Sequence, residues 1–330
     1  MNLSNLEDRQ YEMKALGFSK ESIAKMQEMM EKNIPEFKLY ESKETAKGMV
    51  DYRLHYKKSA QSDFYYFNKF DVTVDRNKLR TPESKYMVIS PAEQEGKSLV
   101  RKFETPYEAI DYFKQQPNSE LAIGKDVRSR TKLAQIENSK MIYTERSFRQ
   151  TYSQPPLPQT FYIDSGKGFT KEQAGNLMLG NAVYRDDLLN FQGVGYQAWV
   201  TLNFNKERDR YGNYPMNQYN DPAYGFDVNE TLEKFRIKEM EKPETAEKLE
   251  ASVRNGNTPL VTVENQNNET QKVRLEVAVR FRNINFFRED GKPVMREQFL
   301  KEGQDLSQSR ANVMGLGQNQ NEARTARMAR

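Results

Sequence analysis

Apolar positions along the chain switch repeatedly from a helical period to a period of two. Leu3, Leu6, Met13 and Leu16 keep helical spacing up to Gly17. Ser19 is placed to cap a second helix, with Phe18 and Ile23 as a hydrophobic staple and Ile23, Met26 and Met30 along one face. After Pro35 the period drops to two. Met49, Tyr52, Leu54 and Tyr56 are expected to face inward, and Asp51, Arg53, His55 and Lys57 outward. The aromatic run Phe64 to Val72 supplies a further strand, so the first unit reads as helix followed by antiparallel meander.

The same order returns twice. Thr160–Asp164 is a short strand, Thr170 and Gln173 form a capping box, and the helix they open stops at Gly180-Asn181. Strands follow over Ala182–Leu189 and Tyr196–Phe204. From Thr245, a helix carrying Leu249 and Val253 ends at Asn255-Gly256-Asn257. Leu260–Val263, Lys272–Arg280 and Ile284–Phe287 then predict strands, the second with Val273, Leu275, Val277 and Val279 buried. Between the first two copies, Lys85–Ser90, Ser98–Phe103, a helix opened by Thr105-Pro106, and Glu120–Gly124 predict a small β-β-α-β module. Residues 125–150 give no clear pattern. The Pro-rich run 154–159 reads as a stiff linker and domain boundary.

The expected fold is therefore α+β, with repeated helix-plus-antiparallel-meander units and one inserted module. The expected divisions are 1–78, the insert 79–153, the linker 154–159, a second unit over 160–240, a third over 241–300, and a loose tail over 301–330.

Composition narrows the chemistry. The 330 residues contain no cysteine and one histidine, His55. Thiol catalysis, disulfides, zinc ribbons, iron–sulfur clusters and sites with two imidazoles are excluded. No apolar stretch suits a membrane helix and the N-terminus does not read as a signal peptide, so a cytoplasmic protein without membrane association is expected. Net charge is only +4, but residues 76–156 carry 15 Lys or Arg against 10 Asp or Glu. Within that stretch Lys125, Arg128, Arg130, Lys132, Lys140, Arg146 and Arg149 form a candidate footprint for phosphate. A long loop over 205–227 mixes Asn and Asp with tyrosines. Tyr211, Tyr214 and Tyr219 are candidates for stacking on bases, with Arg208 and Arg210 beside phosphate. Trp199, on the face opposite Val200 and Leu202, is a candidate partner anchor, the alternative being a place beneath a packed helix.

Other motifs fall short. Asp164-Ser165-Gly166-Lys167-Gly168 resembles a phosphate loop. However, Phe161 takes the place of the first glycine of GxxxxGK[ST], and Gly168 that of the magnesium-binding hydroxyl. His55 lies among Arg53 and Lys57 without a nameable carboxylate or nucleophile and reads as a surface histidine. No cofactor or metal set is expected.

Several runs resemble a family of uncharacterised proteins carried on conjugative transposons and related mobile elements of Bacteroidetes. They are QTFYIDSGKGFTKEQA (159–174), NLMLGNAV (176–183), YQAWV (196–200), Gln218-Tyr219 through YGFD (224–227), and PEF (35–37) with SDFYYFNK (62–69). The likeness spans most of residues 30–290. It implies a genomic setting and a non-secreted location, and it brings no catalytic or ligand residues with it. The expected function is a non-enzymatic accessory protein meeting DNA or RNA, weakly and salt-sensitively, or a protein partner. The alternatives are a metal-dependent hydrolase or nuclease using Asp164, Asp186, Asp209, Asp221 or Asp227, and an element-encoded inhibitor.

Overall fold

The computed structural model describes residues 2–92, 97–164 and 167–304. Ser165 and Gly166 of the loop resembling a phosphate cradle, and residues 305–330 of the expected tail, lie outside the described residues. The fold is α+β, with helices preceding antiparallel meanders and four antiparallel sheets. The chain divides into two compact units, residues 1–179 with 204–215, and residues 180–203 with 216–330.

The first unit begins with α1 (Leu3–Ala15), capped by Asn2, and α2 (Lys20–Glu31), capped by Ser19. The meander is β1 (Glu36–Thr45), β2 (Gly48–Lys58) and β3 (Tyr65–Asp75). Its inner face is aromatic. Phe37 stacks on Tyr56 at 4.9 Å and Tyr56 on Phe67 at 4.8 Å, while Phe18 meets Phe67 and Phe70 edge-on. Each such ring, fully buried, contributes about 1.5–3 kcal/mol. Met49 is buried, but by strand alternation it shares a face with Asp51, not with Tyr52.

The insert follows as β4 (Lys85–Pro91), β5 (Ser98–Phe103), α3 (Pro106–Lys114), β6 (Ser119–Gly124), β7 (Thr131–Glu137), β8 (Lys140–Thr144) and the short α4 (Arg149–Ser153). The β-β-α-β pattern is present and is extended by the β7–β8 hairpin, which accounts for much of the unassigned stretch. The hairpin turn uses Asn138 and Ser139 in the left-handed region, which asparagine tolerates. Sheet order is β5-β4-β6-β7-β8, and α3 and Phe148 close its core against Tyr86, Val88, Leu121 and Leu133.

The Pro-rich run does not separate the two units. It leads into β9 (Gln159–Tyr162), which pairs with β3 and completes the first sheet in the order β1-β2-β3-β9. The helix α5 (Lys171–Met178), opened by the Thr170–Gln173 capping box, also belongs to this unit. It lies so close to β2 that a Cβ on Gly175 would collide with the Tyr52 hydroxyl. The expected second unit is thus divided: its helix packs on the first sheet, and its strands lie in the other compact unit.

That second unit holds β10 (Val183–Leu189), β11 (Gly195–Leu202) and β12 (Met216–Asp221), then α6 (Val228–Glu233) and α7 (Pro243–Arg254). A last sheet comprises β13 (Leu260–Glu264), β14 (Thr270–Ala278), β15 (Asn283–Phe287) and β16 (Pro293–Val294). The stretch read as one loop over 205–227 therefore contains β12, paired along β11 from Gln197 to Leu202. Trp199 is 2% exposed, held between Tyr184 and Phe226 in a core shared with Leu249 and Val253 of α7. This corrects its assignment as a partner anchor. The indole face is buried because α7 packs on that side of the sheet.

Candidate functional site

The second face of the first sheet, expected to be solvated, carries a row of polar side chains in register. Tyr40 on β1 lies across from Arg53 on β2, Arg53 from Asp71 on β3, and Asp71 from Thr160 on β9. Directly opposed side chains sit close enough to bond, and these do. Arg53 donates from Nε and Nη2 to Asp71 Oδ2 at 3.1 and 2.7 Å, and His55 Nε2 stands 2.7 Å from the same oxygen. Thr160 donates to Asp71 Oδ1 at 2.7 Å. Glu108 of α3 closes the row from the module, accepting from Arg53 Nη1 at 2.5 Å and from the Tyr40 hydroxyl at 3.3 Å. Burial alone would raise the Asp71 pKa, but the bonds from His55, Arg53 and Thr160 outweigh it and hold the carboxyl well below the ordinary range. Tyr40 is pushed up to about 12 by burial and by the Glu108 charge.

A second cluster lies further along the same face, with Asp51, Asp75, Arg80 and Tyr86 all buried. Arg80, between β3 and β4, reaches back with Nη2 to Asp51 Oδ1 at 3.2 Å and to the Glu104 carbonyl at 3.0 Å, and Nη1 donates to the Ser84 carbonyl. Its Nε stands 3.8 Å from Asp75 Oδ2, too far for a hydrogen bond. Tyr86 of β4 donates to that same Asp75 oxygen at 2.6 Å. Ser42 donates to Asp51 Oδ1 at 2.5 Å, while Asp51 Oδ2 and Arg80 Nε make no hydrogen bond. Burial lifts Asp51 to about 6, with Arg80 and Ser42 only partly opposing it and the Asp75 charge adding to the rise. Asp75 is also raised, chiefly by burial. Together the two clusters join the module to the sheet.

Beside them opens a cleft of about 680 Å³, lined by Lys38 and Tyr40 of β1, by β5 residues, and by Tyr107, Asp111 and Tyr112 of α3. Its carboxylates are largely engaged, Glu108 by Arg53 and Glu104 by Lys85. Arg101 lies 4.5 Å over the Tyr112 ring. Among the described residues, Lys38, Arg101 and Lys102 form no ion pair, although the Lys102 charge adds to the Ser129 bonds that hold the Asp126 carboxyl below its usual range.

The residues picked from sequence scatter more widely. Lys125 pairs with Glu83 at 2.9 Å, and Arg130 and Lys132 both pair with Glu120, at 2.5 and 3.4 Å. These three are less available to phosphate than a bare charge count implies. Arg128, Lys140, Arg146 and Arg149 form no ion pair with a described residue. Arg149 lines a shallow groove of about 340 Å³ with Met141, Ile142, Tyr143 and Tyr152. In the aromatic loop, Arg208 lies 3.9 Å over Tyr214 and donates to the carbonyls of Leu157, Pro158 and Gly212. These donors secure the loop against the Pro-rich run and leave the guanidinium less available to phosphate. Tyr214 is held by the same cation and by its N–H bond to Gln159 at 2.8 Å. Arg210 and the exposed Tyr211 pair with each other at 4.7 Å. Tyr219 belongs to the second unit, where it packs on Tyr224 at 4.8 Å.

The five aspartates of the metal alternative do not gather. Asp209 accepts from the N–H groups of Tyr211 and Asn213, Asp221 accepts from the Tyr184 hydroxyl, and Asp227 caps α6. Among the described residues no three His, Asp or Glu side chains are arranged to hold a metal. Asp71, the carboxylate that Arg53 and His55 meet, does not stand out in the sequence because this strand face reads as solvated until the insert is laid over it. The available signal was Asp71, Thr73 and Asp75 alternating with Phe70, Val72 and Val74, three polar residues on one face of a strongly apolar strand. No helix among the described residues is long and apolar enough to cross a membrane. No family model, curated protein or solved structure matches the chain.

Proposed function

We propose that the chain is a non-enzymatic binding protein, an accessory of a mobile element working in the cytoplasm, and that its inserted module meets the partner, a nucleic acid or another protein. One observation carries this reading. Most polar groups between sheet and module are engaged with each other, whereas the cations lining the module's cleft, Lys38, Arg101 and Lys102, form no ion pair with a described residue and share the lining with Tyr40, Phe103, Tyr107 and Tyr112. Cations without an ion pair beside half-buried rings attract polyanions and acidic surfaces.

The test is fluorescence anisotropy at low salt with three labelled probes: a 20-base single-stranded DNA, its duplex, and poly-L-glutamate. Micromolar or weaker binding to at least one is expected, falling steeply as salt rises. The double variant R101E/K102E is expected to weaken that binding at least tenfold. Absence of salt-dependent binding to all three probes removes the reading.

A further inference from the structure

The module's sheet has two outer strands, and they differ. β8 is bulged: Gln135 pairs with Tyr143 and Ile136 with Met141, so Ile142 is an extra residue. A bulge, together with a lysine at the strand start, is a common way to prevent another strand from adding. β5 has Lys102 but no bulge, and its pairing runs unbroken from Tyr86–Phe103 to Pro91–Ser98, so its edge stays straight. The Ala92 N–H bonds to the Lys97 carbonyl at 3.0 Å, which makes 92–97 a hydrogen-bonded pair. By antiparallel alternation Leu99, Arg101 and Phe103 then direct their backbone groups to β4, while Ser98, Val100 and Lys102 direct theirs to the free edge. No described residue bonds to those outward groups.

The side chains around this edge specify the occupant. Arg101 and Phe103 lie on the α3 side of the sheet, as their contacts with Tyr112 show. Leu99 shares that side by alternation and is 57% exposed. A strand laid on β5 would set one side chain opposite Arg101 and one each opposite Leu99 and Phe103. Arg101 forms no ion pair with a described residue; of the cleft's carboxylates Glu104 is engaged by Lys85 and Glu108 by Arg53, while Asp111 accepts from Gln115 at 3.4 Å.

We propose that β5 is a strand-addition site for an extended acidic segment of a protein partner, with one Asp or Glu facing Arg101 and an apolar residue two positions to either side. Main-chain bonds to Ser98, Val100 and Lys102 supply affinity, and the alternate side chains entering the cleft supply selectivity. This rests on the binding-protein reading and narrows its partner.

The probe is a fluorescein-labelled heptapeptide, Thr-Val-Thr-Glu-Thr-Val-Thr, titrated against the full chain. Saturable binding is expected. It should weaken at least tenfold when the two threonines flanking the glutamate are N-methylated, which removes donors while keeping side chains and charge. Val100→Pro should produce a similar loss, since the N–H it deletes points outward and proline is tolerated there on an edge. Arg101→Glu should reverse the preference in favour of a peptide with lysine in place of the glutamate. Equal binding of parent and methylated peptides overturns strand addition, and so does unchanged binding by Val100→Pro with wild-type circular dichroism. If DNA binds and the heptapeptide does not, the strand-addition proposal fails and the binding-protein reading stands. If DNA, polyglutamate and heptapeptide all fail to bind, both fall.

Discussion

Asp51 and Asp71 occupy the same sheet face, and both lose most of their contact with water, yet their protons behave oppositely. Asp71 takes bonds from Arg53, His55 and Thr160 and stays ionised far into acid. Asp51 has Ser42 and one arm of Arg80, leaves Oδ2 without a partner, shares its only cation with Asp75, and rises to about 6. Burial penalises both, so the number of donors decides the outcome. One end of the sheet–module junction is electrostatically complete; the other holds two buried carboxylates around a single guanidinium.

The sharpest way to break this comparison is Arg80→Met. Removing the cation leaves Asp51 and Asp75 buried without compensation, which costs about 3–5 kcal/mol. Urea denaturation at pH 7 should show that loss, and part of it should return near pH 5 as the carboxyls take up protons. A loss below about 1 kcal/mol with no recovery in acid would mean that the cluster does not hold the junction.

Next in size is a pH slope. The folded state binds the Asp51 proton more tightly than the unfolded chain, with a pKa of about 6 against 3.8. Stability from this group is therefore greatest below about pH 4, falls as pH rises from 4 to 6, and is level above that, a change of about 3 kcal/mol. Asp51→Asn should remove most of this decline and be at least as stable as wild type at pH 7, because Arg80 keeps Asp75. A denaturation series from pH 4 to 7 in which the two proteins run parallel would contradict the assignment.

Asp71→Asn should behave in the opposite sense. Its charged bonds stabilise the fold at neutral pH, and the variant should lose about 2 kcal/mol there. Because the folded pKa is depressed, that advantage is present above about pH 4 and fades as pH falls toward the lower folded value. The gap between wild type and variant should therefore narrow in acid, where the Asp51 effect is moving the other way. A gap independent of pH would assign the loss to packing instead of charge.

The contrast between these two residues also marks how far the sequence can be read. Capping residues and strand periods are local properties, so Ser19, Thr105-Pro106 and the Thr170–Gln173 box opened helices where expected. Which face a strand buries depends on what comes to cover it. Asp51 and Arg53 read as solvated because their cover, α3 and the β3–β4 connection, begins elsewhere in the chain. Trp199 posed the same problem, and α7 supplied the answer. The basic stretch was visible as composition, but Glu83 and Glu120, which engage three of its seven cations, precede the run 125–149 that holds those cations and come beside it only through the β4–β6–β7 pairing. The free edge of β5 had no sequence signature, since an edge is defined only by which strands fail to pair.

The smallest test separates the donors of Asp71 from one another. Thr160 reaches Oδ1 alone, while Arg53 and His55 both meet Oδ2. Thr160→Val keeps the shape and deletes one neutral donor, so it should cost about 1 kcal/mol at pH 7. If donor number sets the low pKa, the variant should also shift the acid limb of the stability profile to higher pH, because Asp71 would then take up its proton sooner. Chemical denaturation from pH 2 to 7 reads both quantities at once. A stability loss without a shift in the acid limb would mean that Arg53 and His55 alone fix Asp71, and that the comparison with Asp51 concerns charge balance instead of the number of bonds.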